Sequence, residues 1–316
     1  MFFKTARRLR RAGILGLNQR NNRYTLAYNP RHLYPLVDDK LKTKQLALGA
    51  GLAVPELYGV VEIEHHIEEL DGWLSAYPEF VVKPAHGSGG DGVLVVAGRS
   101  KSLYRLASGV LMDQPELDHY VSNILSGLFS LGGHPDTALI EYRVQFDPLF
   151  AAITYQGVPD IRIVVFLGFP LMAMVRLPTR LSDGKANLHQ GAIGAGIDIG
   201  TGTTLTAVWR NDIVSEHPDT GNAVTGVQIP HWDRLLQIAA GAYELTGLGY
   251  VGVDIVLDRD KGPLLLELNA RPGLNIQIAN RAGLLPRLQH IEHGAPKALG
   301  IAERVDLAKQ RFAPGA

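Results

Sequence analysis

Residues 251–274 limit what this chain can fold into more than any other stretch. Val253, Ile255 and Leu257 alternate with Asp254, Val256 and Asp258. After Arg259, Asp260, Lys261 and Gly262 the alternation resumes, with Leu264, Leu266 and Leu268 set against Leu265, Glu267 and Asn269. A period of two on both sides of a polar turn specifies a β-hairpin, because successive strand side chains point to opposite faces. A loop over 259–262 puts the three leucines beside Leu257, Ile255 and Val253 on the buried face. Asp254 then lies opposite Glu267, with Asn269 two residues further along the same face. Opposed side chains stand about 4.5–5.5 Å apart at Cβ, where like charges repel. One carboxyl should therefore have a raised pKa unless a cation compensates. Two carboxylates and an amide oxygen are hard ligands suited to Mg²⁺ shared with substrate phosphates. The alternative is an ordinary hairpin with a wet acidic face.

A second constraint is the run from Phe80 to Val96. Phe80-Val-Val-Lys83-Pro84 reads as a buried strand leading into His86-Gly87-Ser88-Gly89-Gly90-Asp91-Gly92. Gly87, Gly89 and Gly92 satisfy a dinucleotide fingerprint, but that motif requires a following helix to receive the pyrophosphate. Val93 to Val96 reads as a strand, so the context is strand–loop–strand and the dinucleotide reading fails. No Gly-Lys-Ser/Thr follows, so a Walker A loop fails too. A glycine hairpin that cradles phosphate through backbone N–H groups survives, with the Lys83 ammonium beside it. The plain alternative is a hairpin tip and a surface lysine.

The 316 residues carry zero formal net charge, 46% hydrophobic and 20% charged residues, and no cysteine. This fits one large two-lobed protein or two domains, and it excludes disulfides and thiolate chemistry. Nothing draws the whole chain to nucleic acid, and no run reaches the ~18 apolar residues of a spanning helix. Without a secretory signal the expected location is cytoplasmic. Residues 4–23 form a local exception: Lys4, Arg7, Arg8, Arg10, Arg11, Arg20 and Arg23, with no acid among them. They form either a helix packed on the protein or an arm that touches an anionic surface.

Asp38 or Asp39 is a natural N-cap for a helix through Leu48, ended by Gly49 to Gly51. Residues 101–135 read as helical, with Leu117, Val121, Ile124, Leu125 and Leu128 at helical spacing. Ala138 to Arg143 is another strand, with Glu141 and Tyr142 at its end. Ile161–Leu167 and Leu171–Leu177 flank Gly168, Phe169 and Pro170, and a symmetric connection puts Arg162 opposite Arg176. Facing guanidiniums invite a phosphate or carboxylate; the alternative is two exposed arginines with acidic partners of their own. In Lys185-Ala-Asn187-Leu-His189, the histidine has no partner carboxylate in reach by sequence, which favours a structural or substrate-contacting imidazole over a base. A helix from Trp232 to Leu245 buries Leu235, Leu236, Ile238, Ala239 and Ala242 and is closed by Gly247 and Gly249.

The order Lys-strand, glycine hairpin, Glu-Tyr strand, Asp-x-Arg strand, Asn-x-His, Asp…Glu-x-Asn resembles the ATP-grasp superfamily. Within it the chain is similar to RimK-type alpha-L-glutamate ligases, and closer still to the sugar-transfer-associated ATP-grasp group. The resemblance spans about 38–285. It implies an α+β fold of two lobes, each with an antiparallel sheet and helices, with nucleotide bound between them. The expected divisions are a basic arm over 1–37, an N-terminal lobe with the glycine lid over 38–140, and a C-terminal lobe with the metal site over 141–316. Lys40, Lys83, Gly87, Ser88, Gly89 and Gly90 match the phosphate-binding set, and Glu141 and Tyr142 the adenine–ribose hinge. Asp160 and Lys185 match further nucleotide contacts. Asp254, Glu267 and Asn269 match ligands for Mg²⁺, or Mn²⁺ in its place. Arg162, Arg176, Asn187, His189 and Arg271 complete the catalytic candidates. Arg271 stands where RimK-type chains carry a small residue. RimK-type ligases also place a full α/β domain before the position of Asp39-Lys40, where this chain has 38 residues.

The resemblance implies an ATP- and Mg²⁺-dependent carboxylate–amine ligase working through an acyl phosphate. Its partners are ATP, an amino acid such as glutamate or another carboxylate, and an amine or peptide acceptor. The rivals are an ATP-grasp phosphotransferase, whose product keeps the phosphate, and a nucleotide-binding regulatory protein.

Overall fold

Strands rich in Val, Ile and Leu form two antiparallel sheets, one in each of two compact units of the chain. The computed structural model describes residues 2–313 apart from Ser88, Leu131, Asn211 and Lys297. The smaller unit comprises Asp39–Lys44 and Val54–Val144; the larger comprises Met1–Asp38, Gln45–Ala53 and Gln145–Ala316. The fold class is α+β.

The smaller unit carries β1 (Leu57–Val61), β2 (Phe80–Pro84), β3 (Leu94–Ser100), β4 (Leu103–Leu106), β5 (Leu111–Met112) and β6 (Ala138–Glu141), in the order β1-β6-β2-β3-β4-β5. β2 and β3 pair antiparallel with Phe80 opposite Val96, so the glycine segment joins two strands as its sequence context requires. Gly89, Gly90 and Gly92 have φ of +66°, +83° and +72°, conformations that a side chain would strain. Residues 101–112 depart from the helical expectation, because β4 and β5 occupy them and the helix spans only Gln114–Leu125. Its start is a capping box: Asp113 accepts from the Glu116 N–H and the Glu116 side chain accepts from the Asp113 N–H, both at 2.9 Å. Leu117, Val121, Ile124 and Leu125 face the core with Phe80, Val82 and Ile140, whereas Leu128 is exposed.

The larger unit carries β7 (Asp160–Phe166), β8 (Phe169–Leu177), β9 (Ile193–Ile197), β10 (Thr204–Trp209), β11 (Asp212–Val214), β12 (Tyr250–Asp258) and β13 (Gly262–Asn269). Their order is β11-β10-β9-β8-β7-β12-β13. The Trp232–Thr246 helix packs on β7 and β12 with Leu235, Leu236, Ile238, Ala239 and Ala242 buried, as its spacing predicts. It ends at Gly247, whose φ is +70°.

The β12–β13 hairpin keeps Asp254 opposite Glu267 and Asn269 opposite Gly252, the expected register, but reaches it differently. Asp258 pairs with Gly262, so the loop is one residue shorter than expected; Leu266 is then an extra residue in a β-bulge that restores the offset. The leucine alternation consequently breaks: Ile255 faces Leu265 and Leu257 faces Pro263. β12 is buried on both faces along its length, so Asp254 does not stand on a wet face.

Residues 13–29 are tied to this unit. Asn29 exchanges hydrogen bonds with the Tyr250 backbone, its Nδ2 donating to the carbonyl at 2.7 Å and its Oδ1 accepting from the N–H at 2.9 Å. The Arg20–Thr25 segment is a π-helical turn, a rare form that occurs mostly as single turns. Here Arg20 is buried and its Nη1 donates to the carbonyls of Pro272 (2.9 Å) and Arg271 (3.4 Å). Arg23 pairs with Glu292 at 2.9 Å. Of the basic residues in 4–23, these two are thereby engaged within the protein, while Arg7, Arg8, Arg10 and Arg11 are exposed.

Candidate active site

In the smaller unit the charged centre is Glu141, at the end of β6. Its Oε1 lies 2.5 Å from Lys83 Nζ on β2 and its Oε2 2.9 Å from Lys44 Nζ. All three side chains are buried, and Lys44 also donates to the Pro55 carbonyl. Burial opposes ionisation of Glu141, but the two ammonium groups outweigh it and hold its carboxyl below the ordinary range. Burial likewise lowers the Lys44 pKa, against the pull of Glu141. One carboxylate against two lysines leaves the cluster with an excess positive charge. Asp39 is the N-cap chosen by the structure: its Oδ1 accepts from the N–H groups of Leu41 (2.9 Å) and Lys42 (3.2 Å) at the start of the Lys40–Gly49 helix. Lys40 points its Nζ at the carbonyls of Gly87 and Ala85, at the root of the glycine hairpin. Tyr142 donates its N–H to Glu56 at 2.8 Å. Ser88 lies outside the described residues.

In the larger unit, β7 lies between β8 and β12, and the pairing builds a charged row across four strands. Arg162 on β7 faces Asp254 on β12, which faces Glu267 on β13. Two residues along the same face, Asp160 on β7 faces Arg176 on β8. The expected opposition of Arg162 and Arg176 is therefore wrong by two positions: Arg162 faces Met174. The turn is only Leu167-Gly168, both with positive φ as a two-residue hairpin turn requires, and Leu171 bulges from β8. The shorter turn and bulge exchange a like-charge pair for an opposite-charge pair.

Arg162 grips Asp254 with two parallel bonds, Nε to Oδ1 at 2.7 Å and Nη2 to Oδ2 at 2.5 Å. Arg176 grips both oxygens of Asp160, with its Nε 2.5 Å from Oδ1, and its Nη2 also reaches Asp254 Oδ2 at 2.7 Å. Glu267 Oε1 stands 3.8 Å from Arg162 Nη2. Such fork-to-fork pairs fix guanidinium planes as no lysine could. Burial works to raise the Asp254 pKa, yet Arg162 and Arg176 overcome it and hold the carboxyl well below the usual range. The raised carboxyl is Asp160, pushed up to about 6 by burial and by Asp254 in spite of Arg176. The expected rise within the Asp254–Glu267 pair is thus absent at Asp254, because Arg162 and Arg176 supply compensating charge.

The glycine-rich loop beyond β8 carries Lys185, Asn187 and His189. Lys185 and Asn187 are half-buried; Asn187 Oδ1 accepts from the His189 N–H at 3.0 Å and starts a short turn, leaving the His189 ring exposed. Beyond β13, Asn269 Oδ1 accepts from the Arg271 N–H at 2.8 Å, and the Arg271 guanidinium lies 5.0 Å from the centre of the Tyr34 ring.

The model of the family described as sugar-transfer associated ATP-grasp matches residues 19–293. The chain belongs to that family. No curated protein matches it. Among solved structures it is similar to the ATP-grasp ligase PsnB complexed with minimal precursor, at 13% identity and TM-score 0.46, covering 90% of this chain and 63% of that one. It is similar to the D-cycloserine synthetase DcsG at 17% identity and TM-score 0.47, over 88% and 73% of the two chains. A Chryseobacterium gregarium RiPP-associated ATP-grasp ligase, in complex with ADP and a leader and core peptide, has 11% identity and TM-score 0.48 over 86% and 66%. This chain spans less than two thirds of the length of PsnB.

Magnesium, which the ATP-grasp family implies, can be tested against the charged row. Asp160, Asp254 and Glu267 set three carboxylates against Arg162 and Arg176, an excess of one negative charge. The Glu267 side chain is 34% exposed, Asn269 is half-buried, and both offer hard oxygen donors. Asp254 is wholly buried, with Oδ2 taking two guanidinium N–H groups and Oδ1 one. Glu267 and Asn269 carry the oxygen type that suits a divalent cation, while both Asp254 oxygens are held by the arginines; among the described residues no group of three His, Asp or Glu side chains is arranged to hold a metal.

The sequence alone did not single out Lys44 or Arg20. Lys44 lies one helical turn from Lys40 in a helix whose N-cap was legible, so spacing alone could have placed both on one face. Arg20 meets carbonyls 251 and 252 residues away, and nothing local signals that.

Proposed function

We propose that this chain is an ATP- and Mg²⁺-dependent carboxylate–amine ligase that releases ADP and phosphate. The observation that carries this reading is the charged row of β8, β7, β12 and β13 in a chain of the ATP-grasp family. Two guanidiniums are locked by buried carboxylates beside half-exposed oxygen donors. Phosphoryl transfer asks a protein chiefly to position and neutralise charge, and this row is built for that.

In the smaller unit, Lys83, Lys40 and the glycine backbone bind nucleotide phosphates, and Glu141 and Tyr142 contact adenine and ribose. In the larger unit, Arg162 and Arg176 hold the transferred phosphoryl group. Asp160 acts through Arg176, since both its oxygens are engaged there. Glu267, Asn269 and Asp254 would hold Mg²⁺, or Mn²⁺ in its place, which would neutralise phosphate charge. A substrate carboxylate oxygen attacks the γ-phosphorus as the bond to ADP breaks. An amine nitrogen then attacks the acyl carbon, the carbon–oxygen bond to phosphate breaks, and the nitrogen loses a proton. Lys185, Asn187, His189 and Arg271 serve substrate binding. Glutamate or a similar amino acid, joined to an amine or peptide acceptor, is the substrate class.

The test is amino-acid-dependent ADP release by the purified chain, with Glu267→Gln beside it. Because Glu267 is a third exposed, the variant should differ from wild type by less than about 1 kcal/mol without metal. Its MgATP-induced thermal shift and its turnover should collapse. Equal shifts and equal turnover in the two proteins exclude the metal assignment. A product that keeps the phosphate, with no amide formed, makes the protein a kinase instead.

A further inference from the structure

His86 stands at the foot of the glycine hairpin, just beyond the end of β2. Its Nδ1 lies 2.7 Å from Asp136 Oδ1, and its backbone N–H donates to both Asp136 oxygens at 3.2 and 3.1 Å. The Asp136 side chain is wholly buried, whereas the imidazole is 47% exposed. On the other edge of the ring, Nε2 is 3.8 Å from Asp39 Oδ2. Asp39 is already occupied by the helix N–H groups and by Lys42 at 3.3 Å, so it is an exchangeable neighbour of Nε2. Lys40 also stands at this root, its Nζ on the Gly87 and Ala85 carbonyls, and Asp91 lies across the hairpin from Gly87.

An ionised carboxylate only accepts hydrogen bonds, so Asp136 fixes the proton on Nδ1. The neutral ring then presents a lone pair at Nε2, which repels an anion. Only the imidazolium presents N–H there. We propose that His86, oriented by Asp136, is a phosphate-binding residue: its Nε2–H donates to a phosphate oxygen of the nucleotide under the glycine hairpin, and nucleotide affinity falls as the ring deprotonates. The proposal rests on the nucleotide-binding reading of that hairpin. A ring used as a neutral base has the opposite dependence.

Calorimetric titration of MgATP into the full chain, from about pH 5.5 to 8.5, tests it in wild type, His86→Gln and Asp136→Asn. Nucleotide phosphate itself titrates near pH 6, so the quantity to read is the ratio of wild-type to variant affinity. At the acid end wild type should bind about tenfold more tightly than His86→Gln, the scale of one charge-assisted hydrogen bond. The ratio should approach one at the alkaline end. Asp136→Asn, which keeps the ring but removes its anionic partner, should lose most of the acid-side advantage; it also carries the test if His86→Gln melts early. A ratio that stays constant with pH, or one that rises with it, overturns the proposal. Wild type that binds no MgATP at any pH overturns the nucleotide reading itself.

Discussion

Two buried charge clusters lie in separate units of this chain, and they are biased in opposite directions. Around Glu141, one carboxylate serves two lysines; around Asp254, three carboxylates share two arginines. The first cluster has positive charge to spare and suits phosphate. The second has negative charge to spare and suits a divalent cation. The two clusters also differ in the cation they use. Lysines are point charges on flexible stems, which can leave Glu141 for another anion. The arginine forks hold fixed planes against Asp160 and Asp254, so the second cluster is preorganised where the first can adapt.

The largest expected effects come from removing the central carboxylate of each cluster. Asp254→Asn leaves two buried guanidiniums short of charge, and Glu141→Gln leaves two buried ammonium groups so. Removing one partner of a buried ion pair costs about 3–5 kcal/mol. Denaturant unfolding should show losses on that scale, with Asp254→Asn the larger because its forks cannot relax toward water. A Glu141→Gln loss equal to or greater than that of Asp254→Asn breaks the contrast between adaptable and preorganised clusters.

The pH dependence of stability separates the clusters next. Asp254 and Glu141 have depressed pKa values, so their stabilisation is present above the unfolded carboxyl values and is lost as pH falls through the folded ones. Asp160 has the opposite sign. Its folded pKa, about 6, lies above its ordinary 3.8, so the folded state binds the extra proton. Stability should fall as pH rises from about 4 to about 6 and level off beyond. Asp160→Asn should remove that slope in unfolding experiments across the window. A slope that survives the substitution assigns it to another group.

The smallest effect sharpens the charge count. Lys44→Met removes the surplus cation from the Glu141 cluster while Lys83 still pairs with the carboxylate. A methionine of similar length can fill the space, so stability should change by about 1 kcal/mol or less. A loss near that of Glu141→Gln would show that Lys44 is required and that no positive charge is surplus.

Much of this was legible in local pattern. Alternation identified the Asp254–Glu267 hairpin, and glycine and helix-cap signals placed the 232–246 helix and a helix start at Asp38 or Asp39, between which the structure chose Asp39. The strand–loop–strand context of the glycine segment held for the same reason. Bulges were not legible, because a bulge is chosen by the strand's neighbours and not by its own composition. At β12–β13 the shorter loop and the Leu266 bulge cancelled, and the expected register survived. At β7–β8 the two-residue turn and the Leu171 bulge did not cancel, and Arg162 and Arg176 moved out of opposition.

The sequence by itself determined the strands on either side of the glycine segment, the β7–β8 and β12–β13 strand pairs, and that Asp254 faces Glu267, whereas β4 and β5 lie where it reads helix. Periodicity, turn chemistry and capping act over a few residues, and all of them agree at these places. Only the tertiary structure decided which cation meets Asp254. That choice depends on β7 pairing with β12, which brings Arg162 to a carboxylate 92 residues away. The same holds for Lys44 on Glu141, His86 on Asp136 and Arg20 on the Pro272 carbonyl. Each is a long-range electrostatic contact whose strength comes from burial, and burial is a property of the assembled sheets.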